Sequence, residues 1–180
     1  MLPSSIQLNL PGWVADVADA TRAHPSDEGK VALAIELSRR NVQDGTGGPF
    51  GAVVFDEHDR IVAAAVNRVL PMTCTLAHAE NMAYMLAQQR LGRARLNMDE
   101  AGERRGRFVL ATSSQPCCQC YGATIWAGID RLLIGARSED VMALTEFDEG
   151  PLPEDWVGEL QRRGIEVVRD LRRDAARDVL

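Results

Sequence analysis

No run of eighteen consecutive apolar residues occurs anywhere in the chain, so no helix of the length needed to cross a bilayer can be read from it. The first ten residues lack a basic start followed by an apolar stretch, so no secretory leader is read there and the chain is expected in the cytoplasm. No internal repeat and no low-complexity tract interrupts it. Excess positive charge is missing as well. Lys and Arg number 20 against 26 Asp and Glu, a net charge of −6, whereas a surface that neutralises phosphates needs a basic stripe. A broad nucleic-acid interface is therefore not expected. Cysteine is scarce, at four residues, and three of these fall within four positions, which is not the spread of a secreted disulfide framework.

What is present suits a soluble globular chain: 46% hydrophobic and 26% charged residues over a length of 180. One domain over residues 1–180 is expected, with 1–27 as a surface arm broken by Pro3, Pro11, Gly12 and Pro25. A short helix is expected within 13–22 of this arm.

The three clustered cysteines lie in Pro116-Cys117-Cys118-Gln119-Cys120. Cys117 and Cys120 are three apart, so at the start of a helix both sulfurs fall on one face and one zinc ion can take both. The first turn carries unpaired N–H groups and the positive end of the helix dipole, which favour thiolates. Pro116 stands where a missing N–H costs nothing. Cys118 lies about 100° around such a helix from Cys117, which predicts a small buried residue rather than a ligand. Upstream, His78-Ala79-Glu80 offers a third ligand and a carboxylate two residues on. Three protein ligands leave a fourth position open, as in catalytic rather than structural zinc sites. Two thiolates and a neutral imidazole cancel the metal's two charges, so water at that position is acidified less than over three histidines. A nearby base, Glu80, then has a use. Two other readings stand beside this one. A redox CxxC would not need the matched HxE, and a closed structural site, the mark of a zinc interaction module, would need Cys74 or Cys118 as a fourth ligand.

Along the chain, Ser26 or Asp27 caps a predicted helix whose apolar stripe is Val31, Ala34, Ile35 and Val42, ending near Asp44. The Gly-rich segment 45–49 is a turn that bends the chain into Phe50. Residues 51–55 and 60–66 are β-branched or Ala-rich runs around an acidic turn, the pattern of an antiparallel hairpin. Asn67 ends the second run. Its amide can donate and accept at once, as reading a base edge requires, or it simply caps the strand end. A helix over 76–91 carries His78 and Glu80. A strand over 108–112 leads into the cysteine helix, 117–127, which Gly128 stops. A strand over 131–135, a short helix capped by Ser138, a strand over 165–168 and a charged helix from Asp170 follow. Strand-helix alternation after the hairpin implies parallel pairing and a three-layer α/β/α sandwich around a mixed five-stranded sheet. Both metal-binding helices start at strand or loop ends, so their N-termini converge at one sheet edge. His24 and His58 sit in turn contexts.

H-A-E followed by P-C-x-x-C is the signature of the zinc deaminases, and from about Phe50 onward the chain resembles the cytidine-deaminase-like superfamily. Within it, S-S-Q-P-C-C-Q-C-Y-G-A-T-I-W-A-G-I and the later A-R-S-E-D-V and F-D-E-G-P are similar to bacterial guanine deaminases. The resemblance implies a Zn2+ cofactor, hydrolytic deamination with Glu80 carrying the proton, and a free nucleobase as substrate, guanine going to xanthine. It implies that Asn67 contacts the base, that Phe50 and Phe147 sandwich it, and that Glu149 is a second catalytic carboxylate. From the residues alone, 147–151 is equally an acidic turn. It also implies a homodimer in which the C-terminal segment is exchanged to cover the partner's site. The tRNA-acting relatives fit the charge poorly. Cytosine, a nucleoside, a pterin or an aminotriazine would present the same amidine-like carbon.

Overall fold

In the computed structural model, which describes residue 2 and residues 4–180, the two runs flanking the acidic turn fold back on each other as predicted. They follow α1 (Val14–Val17) and α2 (Asp27–Gln43), and form β1 (Gly51–Phe55) and β2 (Ile61–Val66), antiparallel with Gly51 opposite Val66. Asp59 closes the turn at φ 59°, in the left-handed region that short polar residues tolerate, and Lys30 holds its carboxylate at 2.7 Å. The chain continues through α3 (Val69–Met72), α4 (Ala79–Leu91), β3 (Val109–Ser114), α5 (Cys118–Ala127), β4 (Arg131–Ala136), α6 (Ser138–Leu144), α7 (Trp156–Arg162), β5 (Glu166–Val168) and α8 (Arg173–Arg177).

The sheet runs β2-β1-β3-β4-β5, with β1 antiparallel to β2 and β3, and β3, β4 and β5 mutually parallel. Successive side chains of a strand point to opposite faces, and here both faces are buried. Ala52 and Val54 pack with Met82 and Ala83 of α4, Ala127 of α5 and Leu160 of α7, whereas Val53 and Phe55 pack with Val31, Ile35 and Leu37 of α2, Val14 of α1 and Ala176 of α8. The result is the predicted α/β/α layering. Burial of Val31, Ile35 and Leu37, all nearly inaccessible, stabilises the α2 layer by about 1.5–3 kcal/mol each.

Several details differ from the sequence reading. Val42 is 46% exposed, and the buried stripe of α2 runs on through Ser38 and Asn41, the latter turned inward because the helix end faces the polar segment 45–49 and its amide bonds Thr46 and Gly48 there. The arm is more than surface: Val14 and Ala18 enter the core. Its helix has only four residues, since Asp19 Oδ1 accepts from the backbone N–H and hydroxyl of Thr21 and draws the chain into a turn. Ser138 does not cap α6. The Arg137 N–H donates to Asp140 at 2.9 Å, and the Ser138 hydroxyl lies 3.3 Å from Gln115 Nε2. The C-terminal helix starts at Arg173 rather than Asp170. Asp140 receives it through Arg173 at 2.7 and 2.8 Å and Arg177 at 3.2 Å, and these guanidiniums hold its carboxyl down at about 2. Helices α3 and α7 were not read from the sequence, being only four and seven residues long.

Candidate active site

The segment before α4 is held extended because the Ala77 carbonyl accepts the Arg68 N–H at 2.8 Å, just past the end of β2. Helical geometry therefore begins at Ala79, three residues later than predicted, and His78 is the N-cap residue at φ −70°, ψ 152°. Its ring is half-buried, and Glu80, in the first turn, is buried at the end of the sheet.

On the neighbouring helix, Cys117 takes the N-cap position of α5 and Cys120 lies three residues on, so the two sulfurs share a face as the spacing requires. Gly128 ends the helix at φ 80°, as predicted. Cys118 departs from the reading: it is exposed, not buried. With Cys117 capping rather than inside the first turn, the next residue points outward. Its N–H donates to the Glu149 carbonyl at 2.9 Å, and a Cβ placed on Gly150 would stand 2.5 Å from its sulfur. Gly150, at φ 67°, lets the 145–151 segment close over α5.

The His78 Nδ1 atom lies 3.4 Å from Cys117 Sγ and 3.5 Å from Cys120 Sγ, and the three ligand atoms are all within 4.8 Å of one another. Ligands about 2.0–2.3 Å from a tetrahedral zinc ion stand roughly 3.5–3.8 Å apart, so this donor set fits the metal. Among the described residues no other group of three His, Cys, Asp or Glu side chains meets in this way, and Cys74, His24 and His58 stand outside it. A hydrogen bond from the Cys120 thiol and the His78 ring hold Cys117 down at about 4, whereas the neighbouring Cys117 sulfur and burial push the Cys120 thiol up. His78 is raised by its bond to Cys117. Zinc held by this donor set would compete with protons for Cys120 and His78, so its affinity would fall on acidification.

Glu80 accepts a hydrogen bond from the Cys120 thiol. Its Oε2 is 3.4 Å from Cys120 Sγ, and its Oε1 accepts from the Thr112 hydroxyl of β3 at 3.3 Å. Burial first, then the negative Cys117, raises its carboxyl above the ordinary range. A cavity of about 260 Å3 opens directly onto His78, Glu80 and Cys117. Phe50, Asn67, Phe147 and Glu149, also singled out in the sequence, line it, whereas Cys120 does not. Glu149 is buried, and desolvation together with the charges of Cys117 and Glu80 pushes its carboxyl up to about 8. Asn67 Oδ1 accepts from the Val69 N–H at 3.2 Å, so its amide both caps the strand end and lines the cavity. Phe50 and Phe147 pack against each other, centroids 5.6 Å apart and tilted by 56°. A base between two rings needs about 7 Å, two van der Waals contacts, so these rings would have to part. Phe147, 48% exposed on its loop, is the one with room to move. Gln115, Val69 and Leu70 also line the cavity and were not singled out. Gln115, one residue before Pro116, was legible by position, whereas Leu70 carries no chemical signal.

The profile of the cytidine and deoxycytidylate deaminase zinc-binding region matches residues 25–136, a span that holds His78, Glu80, Cys117 and Cys120. The chain belongs to this deaminase family. It is accordingly a zinc-dependent aminohydrolase acting on cyclic amidines. The guanine deaminase of Bacillus subtilis (strain 168) is 34% identical over 116 residues, 64% of this chain and 67% of that protein. A probable cytosine deaminase of Schizosaccharomyces pombe is 31% identical over 127 residues, 71% and 70% of the two chains. Among solved structures, a guanine deaminase from Nitrosomonas europaea superposes with a TM-score of 0.90 at 38% identity, covering 99% of this chain and 96% of that one. No helix among the described residues is long and apolar enough to cross a membrane.

Proposed function

We propose that this deaminase converts guanine and water into xanthine and ammonia. The observation that carries the reading is the buried Glu80 carboxylate standing beside the His78, Cys117 and Cys120 donor set at the floor of a cavity small enough for one base. Near-full-length similarity to a guanine deaminase supports the choice of base. When bound, zinc supplies the Lewis acidity that makes water a nucleophile at neutral pH. Glu80 takes one water proton as the C–O bond forms at the amine-bearing ring carbon and gives it to the adjacent ring nitrogen, then takes the remaining proton from the new hydroxyl and passes it to the amine as the C–N bond breaks. Ammonia leaves and a carbonyl remains. Asn67 holds the base edge, Phe147 swings away from Phe50 to admit the flat ring between them, and Glu149 handles protons beside the leaving amine.

Ammonia release from guanine, guanosine, cytosine, cytidine, adenine and ammeline tests the substrate. Guanine is expected to exceed each of the others at least tenfold in kcat/KM. Cytosine as the best substrate would overturn the guanine reading and favour that of the Schizosaccharomyces pombe relative. The enzyme is further proposed to be a cytoplasmic homodimer, reducing conditions suiting thiolate ligands, with a C-terminal segment exchanged over the partner's cavity. The cavity's own lining stops at Glu149, and Leu70 at its mouth is exposed, which leaves that place for such a cover. Exchange would part α8 from Asp140 of its own chain. Sedimentation at the mass of a single chain would contradict the dimer.

A further inference from the structure

Asn41 is an amide with no accessible surface on the last turn of α2, outside the cavity, and neither the donor set nor the proton chemistry uses it. Every polar group of this side chain is committed to the 45–49 turn or to the end of β2. Its Nδ2 donates to the Gly48 carbonyl at 2.8 Å and to the Asn67 carbonyl at 2.9 Å, and its Oδ1 accepts from the Thr46 hydroxyl at 2.8 Å. The two carbonyls it joins belong to residues that line the cavity from different segments, the 45–49 turn and the end of β2. Both also connect to Phe50, whose N–H donates to the Gly48 carbonyl at 2.8 Å and whose carbonyl accepts the Asn67 N–H at 3.0 Å. One buried amide thus fixes the backbone of Gly48, Phe50 and Asn67 relative to one another.

The approach is close enough to dictate the turn's composition. A Cβ on Gly47 would lie 2.0 Å from the Asn67 carbonyl oxygen and 2.7 Å from Asn41 Nδ2, so only glycine admits the bridge. Arg68 braces the same turn from its other side, hydrogen-bonding the Thr46 carbonyl and, at 3.1 Å, that of Asn9. From this geometry we infer that Asn41 is a positioning residue for the substrate, setting the distance between the Asn67 amide and the Phe50 ring so that a planar base is gripped at its edge and face together. Misplacing substrate contacts by a fraction of an ångström weakens binding while leaving the metal and Glu80 where they are.

The inference rests on the proposed nucleobase reading, so it is measured on whichever base the wild type turns over fastest. Loss of the guanine reading alone then leaves it intact. Asn41→Leu, similar in volume but without the amide, is expected to raise KM at least tenfold with kcat within about threefold and zinc per chain unchanged. A residue serving the fold alone would lower the melting temperature or the active fraction and leave KM where it was. Because that variant leaves the Asn67 carbonyl without its partner and the Gly48 carbonyl with only the Phe50 N–H, Thr46→Val is the second test. It removes only the hydroxyl that orients the Asn41 amide, and is expected to raise KM a few-fold with kcat and zinc unchanged. Wild-type KM in folded Asn41→Leu, or in Thr46→Val should the former not fold, overturns the inference.

Discussion

Glu80→Gln should bind zinc as the wild type does and lose about four orders of magnitude in turnover, roughly 5.4 kcal/mol of barrier. The substitution preserves shape and can still accept the Thr112 hydroxyl that now reaches Glu80 Oε1. What it removes is the ability to gain and lose a proton. Glu80 is the buried carboxylate beside the donor set, and the reaction asks one group to collect a proton from water and deliver protons to ring nitrogen and amine in turn. Loss of each transfer costs about 10^2–10^4 in rate, and the three share this one side chain. Turnover and bound zinc measured on the same preparation check the prediction. Near wild-type turnover with full zinc would remove Glu80 from the chemistry.

Cys117→Ala and Cys120→Ala should each empty the site and abolish turnover, whereas Cys118→Ala should keep both. The sulfurs of Cys117 and Cys120 stand 3.4 and 3.5 Å from the same His78 nitrogen, and deletion of either leaves two ligands. That loss exceeds the roughly 10–100-fold cost of removing a group that merely supports a ligand. Cys118 is solvent-exposed, and its link to Glu149 is through its backbone N–H, which alanine retains. Metal content by atomic absorption after exhaustive dialysis reads all three. A zinc-free Cys118→Ala protein would mean that the ligand set differs from the one drawn here.

The gathering of His78, Glu80, Cys117 and Cys120 at one place was legible in the sequence because it depends on short spacings at two helix starts: three positions from sulfur to sulfur and two from imidazole to carboxylate. The hairpin and the parallel half of the sheet were legible for a similar reason, β-branched runs bounded by turn residues. Elsewhere the pattern was overridden by contacts distant in sequence. Val42 belongs to the apolar period of α2, yet Asn41 beside it turns inward because the 45–49 turn and Asn67 require its amide. Cys118 has the composition of a core residue and the position of an exposed one, since the helix starts one residue later than Cys117. The tilted contact between Phe50 and Phe147 depends on a loop closed by Gly150 over α5, a juxtaposition across 97 positions that no local pattern encodes.

The central claim, one zinc per chain serving Glu80 in guanine deamination, is tested most directly by returning zinc to metal-free protein while following conversion of guanine to xanthine. Activity should rise in proportion to zinc and level off at one ion per chain. Conversion by thoroughly metal-free protein, or no conversion at one bound zinc, would contradict it.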